Sequence, residues 1–208
     1  MFHEVDIDAW DRKTTYEFFL NYEDPFFNIA ANLDVTRLHR FCKENGLAYS
    51  LAALFLSLQS ANEIREFRLR MIEDRVVEFD RVEATQTILN EDETFSFCYF
   101  PLKDDIFEFD RSGKAAREKY LALKTFDVET DRFDLIYYSA IPWVSFTSFK
   151  HASPRNNRQT IPRMVFGKMF DDGPVKKMPF SVEAHHALVD GIHVGKLFNL
   201  YQQKIDSL

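Results

Sequence analysis

Two adjacent histidines, with an aspartate four residues after the second, lie close to the end of the 208-residue chain. The surrounding sequence reads VEAHHALVDGIH from Val182 to His193, a strand-like run followed by an Asp-Gly pair typical of a helix start. An imidazole titrates near neutral pH, so a histidine fixed between a strand end and a turn is a natural general base for proton transfer. The alternative is a structural histidine pair, the more common role of an isolated histidine.

The same residues raise the question of a metal site. His185, His186, Asp190 and His193 are all of types that bind metal ions. Adjacent residues on a strand point to opposite faces, however, so two neighbouring histidines do not easily bind one ion. We therefore expect no metal here, and we expect His193 to be a helix-start residue that contacts a neighbour.

Composition predicts one domain that spans residues 1–208, with enough apolar residues (46%) for a sizeable core. The 22 phenylalanines exceed what a core requires, so some should line a pocket or a subunit contact. A net charge of −7 without a basic patch argues against nucleic acid as a partner. The two cysteines, the lack of a secretory signal and the lack of a long apolar span predict a cytoplasmic protein without a membrane segment.

Four helices are predicted from apolar spacing and capping residues. The first runs from an Asp34 cap to Gly46, the second from Leu51 to Ile64, and the third from Lys114 to Leu123. The stretch 101–112 before the third helix is predicted to be irregular because of its acidic residues, its proline and the glycine that follows at position 113. The last helix carries an apolar stripe from Val194 to Ile205.

Strand patterns fill most of the remaining chain. Two hairpins are predicted, over 67–79 and 85–100, with Phe95, Phe97 and Tyr99 on one face of the second. Further strands are predicted over 135–140, 144–149, 163–170 and 178–185, and a polar loop over 150–160. Because helices and strands do not alternate regularly, the expected fold class is α+β with a mixed sheet.

Four segments together resemble a known family. HHALVDGIHVG (185–195), AIPWVSFTSF (140–149), ETFS (93–96) and WDRK (10–13) are similar to landmarks of the type A chloramphenicol acetyltransferases, in the same order. The histidine motif alone is shared with dihydrolipoyl acyltransferase cores. The resemblance implies a two-layer sandwich with a large mixed sheet and helices on one face. It also implies a homotrimer with active sites between subunits, and an enzyme of antibiotic resistance.

The resemblance also assigns roles to four residues. His186 is implied to be the general base, which takes the proton of an acceptor hydroxyl while its oxygen attacks acetyl-CoA. Ser139 is implied to donate a hydrogen bond to the oxyanion rather than to act as a nucleophile. Asp190 is implied to pair with Arg12 and so to lock the catalytic loop, which is compatible with a plain helix-capping role for Asp190.

Acetyl-CoA is the implied co-substrate, with Lys168 and Trp143 as its implied contacts. The implied acceptor pocket contains Phe19, Phe27, Phe149, Arg163 and Val165. Two of these depart from the family pattern, since Arg163 replaces an apolar residue and Val165 a threonine. His151 and Gln159 depart from it in the same region. A buried, unpaired arginine would be costly, so either Arg163 points away from the pocket or the acceptor is more polar than chloramphenicol.

Two hypotheses compete with an acetyltransferase that acts on chloramphenicol or on another small hydroxylated acceptor. A serine hydrolase would use Ser139, His186 and Asp190, but the chain lacks a Gly-x-Ser-x-Gly motif. A non-catalytic relative of the same fold would be expected to have lost His186 or Ser139, and both are present.

Overall fold

A mixed seven-stranded sheet with a layer of helices on one face makes up most of the structure, a computed structural model that describes residues 1–123, 129, 131–152 and 159–208. The helices are α1 (Lys13–Phe19), α2 (Thr36–Asn45), α3 (Tyr49–Asn62), α4 (Ile106–Leu123) and α5 (Gly191–Asp206). The strands are β1 (Phe2–Glu4), β2 (Phe26–Asp34), β3 (Leu69–Ile72), β4 (Arg75–Phe79), β5 (Glu83–Leu89), β6 (Phe95–Phe100), β7 (Leu135–Ile141), β8 (Arg163–Gly167), β9 (Phe170–Asp172) and β10 (Val175–His185).

The large sheet has the strand order β2-β10-β8-β7-β5-β6, and β9 adds to β10. β7 runs parallel to β5 and β8, and the other pairs are antiparallel. One face packs on the helices, as the hydrogen bond between Tyr138 of β7 and Ser57 of α3 shows. Since side chains alternate along a strand, Ser139 lies on the opposite face, which we call the open face.

The small sheet, β1-β4-β3, is joined to the large one by a buried arginine. Arg70 of β3 is fully buried and donates hydrogen bonds to the backbone carbonyls of Phe67, Leu69, Phe133 and Leu135. These carbonyls satisfy its guanidinium in place of a carboxylate. Arg70 thus ties the first hairpin to the start of β7.

The α+β class with a mixed sheet and helices on one face is confirmed. Both hairpins form, in β3–β4 and β5–β6, and the pairing of Thr85 with Tyr99 puts the predicted aromatic face on the open side. α2 ends at Gly46, whose φ of 68° is the left-handed conformation that glycine adopts without strain. Cys42 of α2 and Cys98 of β6 are both buried free thiols.

The predicted strand over 144–149 was wrong: these residues form an irregular segment with a bend at Thr147, after the turn that follows β7. Their alternating pattern has another cause. β7 and β8 are already paired on both sides, so the sheet offers no free edge there. The segment instead packs over the open face, where Phe146 lies close to Gly167.

Two other boundaries also differ from the predictions. The stretch 101–112 was expected to be irregular, but α4 already begins at Ile106. Asp105 looked like a turn residue, yet its Oδ1 accepts hydrogen bonds from the amides of Phe107 and Glu108 and so caps the helix. The strand predicted over 163–170 is split into β8 and β9, and β9 pairs with β10. Of the polar loop over 150–160, residues 153–158 lie outside the described residues.

Candidate active site

The histidine pair lies where β10 ends, and its two rings point in different directions. His185 is the last residue of the strand, is buried, and packs edge-on against Phe26 of β2. His186 follows in a turn, where its amide donates to the carbonyl of Pro25. Its side chain is 32% exposed. Only the second histidine therefore presents its imidazole to a substrate.

Aromatic rings hold the His186 side chain in place. Phe19 of α1 stacks on the imidazole with ring centroids 3.9 Å apart and an interplanar angle of 9°. Phe27 of β2 lies 4.6 Å away on a tilted plane. Within the part of the chain that the structure describes, Nδ1 of His186 is buried without a hydrogen-bond partner, and no hydrogen bond is formed by Nε2. Two of the predicted acceptor residues thus flank the candidate base.

Arg12, the residue just before α1, clamps the turn that carries His186. It donates to the backbone carbonyls of His186 (2.6 Å) and Ala187 (3.0 Å). Both ends of its guanidinium also contact the carboxylate of Asp190, one of them at 2.8 Å. This hydrogen-bonded cation holds the pKa of Asp190 below its usual value. The structure therefore brings together the arginine and the aspartate that the sequence pointed to.

Asp190 also lies beside the imidazole, which bears on the triad hypothesis. Its Oδ1 is 3.0 Å from Nδ1 of His186, but the contact lacks the geometry of a hydrogen bond. The carboxylate is instead committed to Arg12, and its contact with the imidazole is electrostatic. The backbone amide of Asp190 donates to Nδ1 of His193 (2.9 Å), whose Nε2 lies 3.4 Å from Glu66. His193 is thus a helix-start residue that contacts a neighbour.

Ser139 lies on β7, an inner strand of the sheet, close to the C-terminal end of that strand. It is half-buried on the open face of β7, with its Oγ 3.3 Å from Oγ1 of Thr87. Through the register it pairs with Val165 of β8, which in turn pairs with Ser181 of β10. His186 follows Ser181 by five residues, so it lies about 16 Å further along the strand and about 10 Å across. One chain does not bring Ser139 and His186 together.

A cavity of about 200 Å³ lies at the C-terminal ends of β7 and β8, on the helix side of the sheet. Its lining includes Tyr49, Ser50, Gln86, Pro142, Lys168 and Met178. Lys168 was predicted to contact acetyl-CoA, and its backbone amide donates to the carbonyl of Val144 (3.0 Å). Trp143, predicted beside it, is 61% exposed and is not part of the lining. No sequence signal marks Gln86 or Ser50 as cavity residues, because single polar residues carry no motif.

The remaining candidate acceptor residues form a second group, away from His186. Arg163 and Glu183 are a buried ion pair at 2.8 Å, and Arg163 also donates to Gln159 at 2.6 Å. The arginine is therefore neither unpaired nor turned into solvent, and its charge is matched within the chain. Val165 beside it is fully buried. This pair explains how the open face tolerates an arginine where an apolar residue was expected.

His151 lies next to this ion pair. Its amide donates to Glu183 (3.2 Å), and its ring meets Phe149 edge-on, with centroids 4.8 Å apart. Burial, with the Arg163 charge nearby, lowers the pKa of His151 to about 4, so the ring is neutral at physiological pH. Its Nε2 is buried without a hydrogen-bond partner among the described residues.

In residues 1–123, 129, 131–152 and 159–208, no group of three or more His, Cys, Asp or Glu side chains is arranged to hold a metal ion. No helix in these ranges is both long enough and apolar enough to cross a bilayer.

Comparisons with known proteins agree on one family. The profile of the family described as "Chloramphenicol acetyltransferase" matches residues 1–202. A chloramphenicol acetyltransferase of Proteus mirabilis is 31% identical, over 97% of this chain and 94% of its own length. One from Staphylococcus aureus is also 31% identical, over 99% and 96%.

Solved structures give the same result. A chloramphenicol acetyltransferase structure has a TM-score of 0.89 at 25% identity and covers 99% of this chain and 100% of its own. A probable dihydrolipoamide acetyltransferase from Listeria monocytogenes, 15% identical, shares the fold with a TM-score of 0.67 over 99% of this chain and 94% of its own. The resemblance seen in the four sequence segments is confirmed. The chain belongs to the chloramphenicol acetyltransferase family of acyltransferases.

Proposed function

We propose that the chain is an acetyl-CoA-dependent O-acetyltransferase that acts on a hydroxyl of chloramphenicol, with His186 as the general base. The observation that carries the proposal is the exposed imidazole with a free Nε2, stacked on Phe19 and held by a turn that Arg12 clamps. A base fixed in this way needs no reorganisation before it accepts a proton.

The reaction is one direct transfer. Nε2 of His186 takes the proton of the acceptor hydroxyl while the oxygen attacks the thioester carbonyl. The tetrahedral intermediate carries an oxyanion, which the Ser139 hydroxyl stabilises by donating a hydrogen bond. As the carbonyl re-forms, the C–S bond breaks and the thiolate of CoA takes the proton back from His186. General-base assistance contributes a factor of about 10² to 10⁴ in rate, and one oxyanion donor about 10² to 10³.

Asp190 and Arg12 support this chemistry without touching the substrate. The carboxylate near Nδ1 stabilises the imidazolium that forms when His186 takes the proton. The arginine keeps that carboxylate ionised and fixes the two carbonyls of the turn. Both are therefore positioning residues.

The distances within one chain support a site shared between subunits. Met178, which lines the cavity, precedes His186 by eight residues of extended chain, or about 26 Å. A thioester held in the cavity of one chain is thus far from the base of the same chain. We propose that the enzyme is a cyclic homotrimer, in which His186, Phe19 and Phe27 of one subunit face Ser139 and the cavity of the next.

The cavity is the proposed site for the pantetheine arm of acetyl-CoA. It is largely apolar, and its lining includes Lys168, an exposed cation suited to the phosphates of the nucleotide end. Pro142 and Gly167 stand where β7 and β8 end. Beyond the ends of these two strands, the thioester would reach the open face and Ser139.

A different acceptor is the second candidate, and the polar cluster of the open face favours it. Arg163, Glu183, Gln159 and His151 lie among the residues implied for the acceptor pocket. The unpartnered Nε2 of His151 is suited to a polar group that chloramphenicol need not supply. The chemistry would be the same, with another small hydroxylated molecule in place of the antibiotic.

A thiol-release assay with acetyl-CoA, with and without chloramphenicol, tests the proposal. We expect release that depends on the acceptor and falls by about 10² to 10⁴ in His186→Ala. Release without any acceptor would indicate a hydrolase. No release with chloramphenicol, but release with other primary alcohols, would favour the second candidate.

A further inference from the structure

A cationic side chain stands behind the cavity, at a place that no part of the proposed chemistry uses. Arg117 of α4 donates from Nη1 to Oγ of Ser50 (2.9 Å) and from Nη2 to Oε1 of Gln86 (3.1 Å). Both acceptors line the cavity, Ser50 from α3 and Gln86 from β5. The arginine therefore connects the two walls.

Within the described residues Arg117 makes no ion pair, although the charge of Asp110 acts on it from beyond ion-pair distance, and its Nε is buried without a hydrogen-bond partner. Its guanidinium carbon lies 5.8 Å from the ring centre of Phe100, at the far limit of a cation–π contact. Burial lowers the pKa of Arg117, against smaller opposing effects of Cys98 and Asp110. A partly buried cation without a paired carboxylate costs stability, and the hydrogen bonds that this one makes go to the two cavity walls.

A guanidinium can only donate hydrogen bonds, so Arg117 determines which atoms of Ser50 and Gln86 face it. The amide oxygen of Gln86 must face Arg117, so the NH₂ of the same amide is turned away from it. The Ser50 oxygen accepts from Arg117, so its own proton must point elsewhere. Neither of these remaining donors has an acceptor among the residues that the structure describes. The result is two oriented donors at the cavity wall.

We propose that Arg117 is a positioning residue for the acyl donor: it orients Ser50 and Gln86 so that they donate hydrogen bonds to the amide carbonyls of the pantetheine arm. This rests on the proposed function, which places that arm in the cavity. Arg117 itself stays behind the two groups and touches neither the substrate nor the reacting atoms.

The test compares Arg117→Ala with Arg111→Ala, an exposed arginine of the same helix whose loss changes the net charge equally. We expect Arg117→Ala to raise the KM for acetyl-CoA about tenfold, since two hydrogen bonds lose their alignment. The KM for the acceptor should stay within about twofold, and Arg111→Ala should match the wild type. An unchanged KM for acetyl-CoA would overturn the proposal.

Two acyl donors distinguish hydrogen bonding to the pantetheine amides from electrostatic attraction of the CoA phosphates. S-acetylpantetheine lacks the nucleotide, so Arg117→Ala should lose the same factor with it as with acetyl-CoA. A loss confined to acetyl-CoA that disappears at high salt would mean that Arg117 acts on the phosphates, and would refute the relay through Ser50 and Gln86.

A second variant covers the case in which Arg117→Ala does not fold. Gln86→Met keeps the shape of the side chain but removes its donor, and it should raise the same KM. In the Gln86→Met background, Arg117→Lys should have a smaller effect than in the wild type, because part of the arginine's action passes through Gln86. Strictly additive effects would contradict this.

Direct binding keeps this inference separate from the proposed function. Calorimetry with CoA alone reports the cavity without any transfer reaction. If the wild type binds CoA but acetylates no alcohol, the proposed function fails while the weaker binding expected of Arg117→Ala can still be measured. If binding is equal in both proteins, the inference fails whatever the activity.

Discussion

Mixing two inactive variants should restore activity, because His186 and the cavity edge with Ser139 lie far apart in one chain. The separation comes from the sheet: His186 is about 16 Å along β10 from the register position of Ser139 and about 10 Å across. No side-chain motion closes such a gap. A working site must then combine His186 of one subunit with Ser139 of another.

The expected recovery follows from counting. In a ring assembled at random from equal amounts of His186→Ala and Ser139→Ala subunits, an interface is intact only when the Ser139→Ala subunit supplies the histidine and the His186→Ala subunit supplies the serine. This happens at about one interface in four for a cyclic assembly. We expect about a quarter of wild-type activity in the unseparated mixture and about a third in trimers that contain both variants, since each of those has one intact interface out of three. Each variant alone should lose a factor of about 10² or more.

The assay is thiol release from hybrids made by co-expression of the two variants with different affinity tags and purified through both. A matched control pairs His186→Ala with Asp190→Asn. These positions lie in the same turn of one chain, so mixing cannot rebuild a complete turn. The activity of that mixture should not exceed the mean of the activities of its two component variants. If doubly tagged hybrids of His186→Ala and Ser139→Ala also gave only the mean, the shared site would be refuted.

Three further predictions concern stability. Arg12 lowers the pKa of Asp190 in the folded protein. The pair therefore stabilises the fold fully above the unfolded pKa of the carboxyl, near 4, and this stabilisation is lost as pH falls through the lower folded pKa. Melting curves against pH should show a smaller loss of Tm on acidification in Asp190→Asn than in the wild type. The pKa of His151 is lowered from 6.5 to about 4, so the unfolded chain binds its proton first and stability falls as pH drops from about 6.5 to about 4. His151→Phe should flatten the urea-derived free energy of unfolding in that window, and an unchanged slope would contradict the burial of the ring. Gly167→Ala would put a Cβ 2.9 Å from Pro179 and 3.0 Å from Phe146, and should cost about 1 to 3 kcal/mol by overpacking, measured against the wild type by urea denaturation.

The turn that carries His186 could be predicted because its signals are local. A strand run, a histidine and an Asp-Gly helix start occupy about a dozen consecutive residues, and β10, the turn and α5 follow that order. The partnership of Arg12 with Asp190 spans most of the chain, and only the resemblance to a family pointed to it. Composition and spacing carry no information about a contact between residues 178 positions apart.

The wrong predictions have a common cause: the structure of these segments depends on which strands are neighbours in the sheet, and the local sequence pattern does not contain that information. Residues 144–149 alternate like a strand, but the neighbouring strands leave no edge for them, and Phe146 packs over the open face beside Gly167 instead. The ion pair of Arg163 with Glu183 was equally out of reach. It depends on β8 and β10 being neighbours in the register, and the sequence does not state which strands pair.

The burial of both cysteines has a practical consequence for labelling. Exclusion from water raises the pKa of Cys42 to about 11 and that of Cys98 to about 12, so almost no thiolate is present at neutral pH. Maleimides and disulfide reagents should then leave the native protein untouched. A single cysteine introduced at the exposed position of Trp143 would become the one reactive handle, ready to carry a fluorophore that reports the arrival of a neighbouring copy.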